Sequence, residues 1–381
     1  MSGTKAALSA LRCSWAVLLP LLAAQEAVAA SGSDGITVPQ KFPPFVADAA
    51  ACSAPPAMKP ILVFAQDNER DFMKGVSQGL AKAAHDRGLA YAVDLAGNDV
   101  AKMVAQIKVR VADHTGAVVV APIDPGLTKK SLQELIWSGS YVGTIVPPPA
   151  VTLLNAPQYL TGKTLADAAV DYINQTLGGH ANVVLLTHDN LQFLAPRFTA
   201  MRDVLGQIPG VTIVADITPG TIDRHGGFDT MNTILLANPE IDVVLGADTV
   251  VLGALDALRA AGKARPEQFL GGIDGEADAV AEIKKKDSPY KASISLASPI
   301  FGFAMGQQAA DWLQGKSVPQ AMDILPVALT QNNLAQYQAD VSDPAEVYAD
   351  PKRRDSYLKM YGNICYDTRD RYVNFPWSSE Q

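Results

Sequence analysis

Cysteine, aromatic side chains and basic runs are scarce in this 381-residue chain. Three cysteines cannot make a disulfide scaffold of the kind that holds small secreted domains together. Aromatic residues are 7% of the total, and 31 Lys plus Arg stand against 39 Asp plus Glu, for a net charge of −8. No long basic run interrupts that acidity, which argues against a phosphate-neutralising surface and hence against a nucleic-acid partner. The five histidines (His85, His114, His180, His188, His225) show no paired metal-ligand spacing. No phosphate-cradling glycine motif follows any strand. Gly75-Val76-Ser77-Gln78-Gly79 has the form of a hydrolase nucleophile elbow, but Val76 and Leu80 carry a helical stripe straight through it. A serine inside a helix lacks the strained exposure that chemistry needs. Neither a catalytic set nor a metal or cofactor site is expected.

What is present is apolar: 48% of residues are hydrophobic, enough for about two domains with cores of their own. The N-terminus stands apart. Lys5 and Arg12 precede the apolar run Cys13–Ala24, which is too short to span a bilayer, and Ala27-Val28-Ala29 has the small-x-small form of a cleavage site. Residues 1–29 are therefore expected to be a signal peptide removed on export. The mature chain keeps Cys52 and Cys365, an even pair that points to a disulfide in an oxidising compartment; two buried thiols are the alternative. Closing so long a loop would contribute up to about 5 kcal/mol by chain entropy.

Residues 30–58, with Pro43-Pro44 and Pro55-Pro56, read as an extended arm. From Ile61 short apolar runs alternate with amphipathic stripes: Ile61–Ala65, Tyr91–Leu95, Ala117–Ala121 and residues 141–146 as strands, with helices between. After Pro147-Pro148-Pro149 the rhythm restarts with a helix at Thr161–Leu177 and continues to Gln314. Alternation of this kind means βαβ units and parallel sheets. The expected fold is α/β, two doubly wound parallel-sheet lobes joined by a hinge. Lobe 1 is placed at 59–148 and 297–318, lobe 2 at 149–296 and 319–330. Residues 331–381 break the rhythm and are expected to form an irregular tail, whose Tyr357, Tyr361, Tyr366, Tyr372, Phe375 and Trp377 would cover a lobe.

Doubly wound sheets bind ligands outside the C-terminal ends of their strands. Asp67 and Arg70 follow the first strand, Asp124 the third, Asp248 the strand ending at Ala247 and Asp274 the strand ending at Ile273. Arg197 lies beyond the strand ending at Thr187. Any one of these Asp residues could equally be a helix cap or an Asx turn.

Roughly residues 60–330 resemble the ribose-binding-protein type of periplasmic solute-binding protein, the type I fold. Gly271-Gly272-Ile273-Asp274-Gly275 resembles that family's V-G-F-D-G. Gly246-Ala247-Asp248-Thr249 with Leu252-Gly253-Ala254-Leu255 resembles its N-D-x-x-A-x-G-A-L, and Gln158-Tyr159-Leu160-Thr161-Gly162-Lys163 its N-Y-x-x-G-R. The resemblance implies a non-enzymatic, monomeric protein of the periplasm. It would close on a small polar solute, most naturally a sugar, and deliver it to the permease of an ABC transporter; a sensory input to a membrane receptor or histidine kinase is the alternative. It implies Phe72, Arg197 and Asp274 as ligand residues; Asp248 joins them from its strand-end position, and Asp67, Arg70 and Gln158 are expected to hold the ligand where family contacts are lost. Three family polar positions are replaced here, by Ala247, Leu296 and Pro147-Pro148, so several sugar hydroxyls would lose a partner.

Overall fold

The computed structural model describes residues 33–380 apart from 48, 50, 51 and 146; the expected signal peptide lies outside the described residues. The chain opens with β1 (Lys59–Gln66), α1 (Asp71–Asp86), β2 (Ala90–Leu95), α2 (Val100–Ala112), β3 (Thr115–Val120), α3 (Pro125–Ser138), β4 (Tyr141–Ile145) and β5 (Thr152–Asn155). A second series follows: α4 (Gln158–Thr176), β6 (Ala181–Leu186), α5 (Ala195–Leu205), β7 (Val211–Ile217), α6 (Arg224–Ala237), β8 (Val243–Leu245), α7 (Asp248–Ala260), β9 (Phe269–Ile273), α8 (Ala277–Ile283) and β10 (Tyr290–Ser295). The chain closes with α9 (Ser298–Leu313), β11 (Ala321–Ile324), β12 (Val327–Leu329), α10 (Leu334–Ser342), α11 (Pro344–Ala349), α12 (Pro351–Arg354) and β13 (Leu358–Tyr361).

The strands form two sheets, one per lobe. Lobe 1 has the order β13-β11-β5-β4-β3-β1-β2 and lobe 2 the order β12-β10-β9-β8-β6-β7. All pairings are parallel except β11–β13 and β10–β12, which add an antiparallel strand to one edge of each sheet. Helices cover both faces, which explains the continuous apolar runs: every residue of β3 is buried. On α1, Met73, Val76, Leu80 and Ala83 face the core at helical spacing. Asp99 and Asp124 accept from the backbone of Lys102 and Leu127 and so cap α2 and α3, which makes Asp124 a helix start. The apparent nucleophile elbow lies inside α1, and its Gly79 is where α9 passes: a Cβ there would fall 2.1 Å from the Pro299 carbonyl.

Sheet membership corrects the lobe boundaries. Thr152–Asn155, expected in lobe 2, pairs in parallel with β4 and β11 and belongs to lobe 1. The segment 319–330, also expected in lobe 2, is split, with β11 in lobe 1 and β12 in lobe 2. The chain therefore crosses between lobes at Ala156-Pro157, Leu296-Ala297 and Leu325-Pro326. Ala297 sits in the left-handed region at φ 40°, a conformation that suits a sharp change of direction.

The tail is not irregular. Leu334 of α10 packs into a lobe 2 core, Val347, Tyr357, Leu358, Ile364 and Tyr372 pack into the lobe 1 core, and Tyr337 touches both. Ser295 and the Tyr337 hydroxyl are 2.5 Å apart where α10 passes the hinge. A smaller cluster joins Val373, Phe375 and Trp377 to Ala150, Leu153 and Ala321, with Ile36 and Phe42 of the arm against it. Arm and tail are also tied by backbone bonds, Phe45 N–H to the Met360 carbonyl and Gly362 N–H to the Pro43 carbonyl. Cys52 and Cys365 form a disulfide across 313 residues of sequence, with Cα atoms 5.6 Å apart.

Candidate functional site

The loops at the C-terminal ends of the two sheets carry most of the polar residues singled out in the sequence. In lobe 2 the close passage of α4 and α5 sets the first pair. A Cβ on Gly162 would fall 1.9 Å from the Arg197 carbonyl, so only glycine lets the helices approach this nearly. That approach brings Arg197 Nε to the Gln158 side-chain oxygen, a hydrogen bond between the first residue of α4 and the first turn of α5. Arg197 Nη1 lies 4.0 Å from the Asp274 carboxylate. Its guanidinium is held below its usual range by burial, with Asp274 opposing that shift.

Asp274 occupies an unusual backbone position, φ 120°, followed by Gly275 at φ 69°. For a residue with a Cβ this geometry costs on the order of 1–3 kcal/mol. The Gly275 N–H donates to Ser293 Oγ, which helps to hold the turn. The result aims the carboxylate, half exposed, out of the strand end. Partial desolvation by the surrounding protein raises its pKa, while Arg197 of lobe 2 and Arg70 of lobe 1 pull it down. The charge of Arg70 on lobe 1 is thus felt by Asp274 on lobe 2.

On the lobe 1 side the turn after β1 is knitted from its own side chains. Asp67 accepts from Asn68 N–H at 2.7 Å and from Arg70 Nη2 at 3.1 Å, and Asn68 Nδ2 donates to Asn98 Oδ1. Phe72 follows in the first turn of α1, its ring 5.6 Å from that of Phe301 and partly covered by the lobe 1 core. The charge of its neighbour Asp71 adds the smallest of the effects that raise the pKa of Glu276 in lobe 2, after burial, Asp274 and Asp278.

Asp248 does not belong with these. It is fully buried, and its carboxylate is filled by Tyr290 OH at 2.7 Å, Ser293 Oγ at 2.7 Å and Glu276 N–H at 2.8 Å. Gly272 makes the room, since a Cβ there would fall 1.9 Å from Asp248 Oδ1. Burial pushes this carboxyl up to about 7 against the Ser293 and Tyr290 hydrogen bonds. The expected ligand contact is a structural acid that ties α7 to β10 and to the turn bearing Asp274.

Two residues of this region were missed in the sequence. His188, just past β6, is buried, its Nε2 without a hydrogen-bond partner among the described residues and its ring edge-on to Phe198. Burial and then the Arg197 charge lower its pKa, so it sits neutral beside the guanidinium. Glu276 is the other, half-buried next to Asp274. A lone histidine or glutamate after a strand carries no sequence signal; only its position at the strand ends marks it. Of the replaced family positions, Leu296 is turned away and packs in the lobe 1 core.

Two cavities of about 390 Å³ lie away from these strand ends. The one under lobe 2 contains Lys291, whose ammonium is already taken by the Ser288 carbonyl and the Tyr172 ring. The other lies between arm and tail, against Phe42, Tyr361 and Trp377. No helix among the described residues is long and apolar enough to cross a membrane.

Two parallel-sheet lobes joined by three crossings, with charged side chains at their C-terminal strand ends, have the type I periplasmic-binding-protein fold. Residues 61–317 match the periplasmic binding protein domain, and the chain belongs to that family. The ribose import binding protein of Bacillus subtilis is 26% identical over 267 residues, 66% of this chain and 80% of that one. A periplasmic ribose ABC transporter structure from Conexibacter woesei superposes with a TM-score of 0.66 at 17% identity, covering 75% of this chain and 97% of the other. A solute-binding protein of Bacillus halodurans with bound myo-inositol superposes with a TM-score of 0.60 at 18% identity, covering 74% and 98%. The family consists of solute-binding transport proteins.

Proposed function

We propose that this protein captures a sugar or sugar-like solute between its lobes and delivers it to the membrane permease of an ABC importer, acting in the periplasm as a monomer and without catalysis. The observation that carries the reading is the group of Arg197, Gln158 and Asp274 at the lobe 2 strand ends, with Arg70, held by Asp67 at the lobe 1 strand ends, close enough for its charge to act on Asp274. Support comes from a relative named for ribose import and from a structural neighbour solved with bound myo-inositol. The disulfide suits an oxidising compartment and so supports export by the expected signal peptide.

Each group has a chemical task. The Arg197 guanidinium has its Nε occupied by Gln158, which leaves its Nη donors for ligand oxygens, while Asp274 accepts from hydroxyls on the same ring edge. Phe72 offers an aromatic face to the apolar side of a ring. Arg70, anchored by Asp67, closes from the opposite lobe. Ala247 and the inward Leu296 supply no polar partner, so the favoured solute carries fewer hydroxyls than the cleft of a typical family member would satisfy.

The test is calorimetric titration with D-ribose, D-apiose, myo-inositol and their deoxy or methylated analogues. At least one compound should bind at micromolar affinity or better, and the deoxy analogue should lose little. Arg197→Ala and Asp274→Ala should each weaken binding by about 30-fold or more, as expected for charge-assisted contacts, with circular dichroism unchanged. A complex with the solute outside the cleft would overturn the assignment.

A further inference from the structure

The last residues of the tail make a contact that crosses from lobe 1 to lobe 2. Up to Trp377 the tail belongs to lobe 1: Val373, Phe375 and Trp377 are buried against Ala150, Leu153 and Ala321. Trp377 Nε1 donates to the Gln40 carbonyl at 3.1 Å, and its ring lies 5.1 Å from that of Tyr361. Tyr361 OH in turn donates to Asp323 at the end of β11, whose other oxygen accepts from Asn155 at the end of β5. Three residues beyond this anchor, Glu380 reaches α4 of lobe 2. Its carboxylate accepts from Leu160 N–H at 2.7 Å and from Tyr159 N–H at 3.2 Å.

Helix α4 needs such a partner. Its N-cap is Pro157, which has no side-chain acceptor, and its first turn holds no acidic residue. Two amides there would otherwise be left to water, with the positive end of the helix dipole uncompensated. The tail supplies the carboxylate from 220 residues away in sequence. The same turn begins with Gln158, which holds Arg197. The clasp, the hinge crossing at Ala156-Pro157 and the arginine of the candidate site are thus consecutive parts of one connection.

We infer that Glu380 is a positioning residue, a detachable clasp by which the C-terminal tail holds lobe 2 against lobe 1 and steadies the turn that presents Gln158 and Arg197. This inference rests on the reading of the interlobe cleft as the binding site. When the lobes part, α4 moves with lobe 2 while Trp377 stays in lobe 1. The three steps from Trp377 to Glu380 span at most about 11 Å when fully extended, so a wide opening must break the carboxylate–amide contact. Closure is favoured by the clasp, and opening releases it.

The test uses the full mature protein with its disulfide intact and no solute. Spin labels at Lys129→Cys, in the first turns of α3, and Gln192→Cys, in the loop after β6, report the lobe separation, since both positions are exposed. Hydrogen exchange reports the Tyr159 and Leu160 amides. Glu380→Gln removes the charge, and a chain ending at Trp377 removes the clasp. The expected result is exchange about five-fold faster at the two amides, with the distance distribution broadened toward longer separations, more in the shortened chain than in Glu380→Gln. Unchanged distances would overturn the inference, whether the amides exchange faster (a local cap alone) or not. These readouts need no bound sugar, so a failed sugar screen would defeat the proposed function and leave the clasp to be judged by its own result.

Discussion

The two lobes share one architecture and both bury hydrogen-bonded carboxylates, such as Asp323 in lobe 1 and Asp248 in lobe 2, but only lobe 1 is also closed by the two ends of the described chain. Lobe 2 is built mainly from the continuous stretch α4–β10 and is stitched by buried carboxylates. Asp248 joins three donors at the heart of the lobe, and Glu282 accepts from Arg259, Lys285 and Ser288 at its far end. Lobe 1 is closed by segments from opposite ends of the chain: β13 on the sheet edge, the arm alongside it, and the Cys52–Cys365 disulfide. The difference teaches where precision is required. The strained Asp274 turn sits directly on the Asp248 network, so a buried polar lattice fixes the lobe 2 wall of the cleft. Lobe 1 offers a self-bonded loop, Asp67–Arg70, on a scaffold kept rigid from outside.

The contrast can be broken most strongly on the lobe 1 side. Replacing both Cys52 and Cys365 by Ser releases a loop closed across 313 residues, and chain entropy sets the expected loss at up to about 5 kcal/mol. Chemical denaturation should show that loss in lobe 1, while hydrogen exchange in β6 and β8 stays near the wild-type level. Equal loss in both lobes would remove the distinction. On the lobe 2 side, Asp248→Ala strands Tyr290 OH, Ser293 Oγ and Glu276 N–H, at an expected cost of about 3 kcal/mol. Exchange should rise in β10 and in the Asp274 turn and leave β1–β4 protected.

A pH scan sharpens the same point. The carboxyl of Asp248 titrates near 7 in the folded protein against 3.8 as its ordinary value. The folded state therefore holds a proton that the unfolded chain gives up. The stability tied to that proton is present below about pH 4 and is lost as pH rises through about 7. Glu282 works the other way: depressed to about 2 by Arg259, Lys285 and Ser288 despite partial burial, it stabilises above its ordinary 4.5 and loses that below. Between pH 5 and 7.5 the decline in Tm should be shallower in Asp248→Asn than in the wild type; parallel curves would show the carboxyl to be ionised throughout. The smallest effect is expected at the exposed Lys74–Asp71 pair of lobe 1, where Lys74→Ala should change stability by less than about 0.5 kcal/mol.

Most of the alternating core was legible in the sequence, because strands covered on both faces must be apolar throughout, as in Ala117–Ala121 and Val183–Leu186. The four-residue β5 was not. Thr152–Asn155 is flanked by prolines, too short for a period, and recognisable only by its partners β4 and β11. For the same reason the tail read as irregular: β13 exists because β11 offers an open edge more than thirty residues earlier. Within the site, Asp248 and Asp274 occupy equivalent strand-end positions, and sequence assigned both to the ligand. What separates them is direction. Gly272 opens a pocket into which Asp248 turns, while the positive φ at Asp274 throws its carboxylate outward. Arg197 was found through its family pattern, whereas its Gln158 partner depends on the closeness that Gly162 permits. The Glu380 contact had no sequence signal at all, since nothing local connects it to Pro157.

The most direct test of a cleft that grips a sugar is a crystal structure of the protein with the tightest binder from the sugar panel. The account predicts that solute between the lobes, with its oxygens within hydrogen-bond distance of the Arg197 Nη atoms and of the Asp274 carboxylate, and with Asp248 still bonded to Tyr290 and Ser293. Electron density for the sugar on an outer face of either lobe, with the Arg197–Asp274 region filled by water alone, would contradict it.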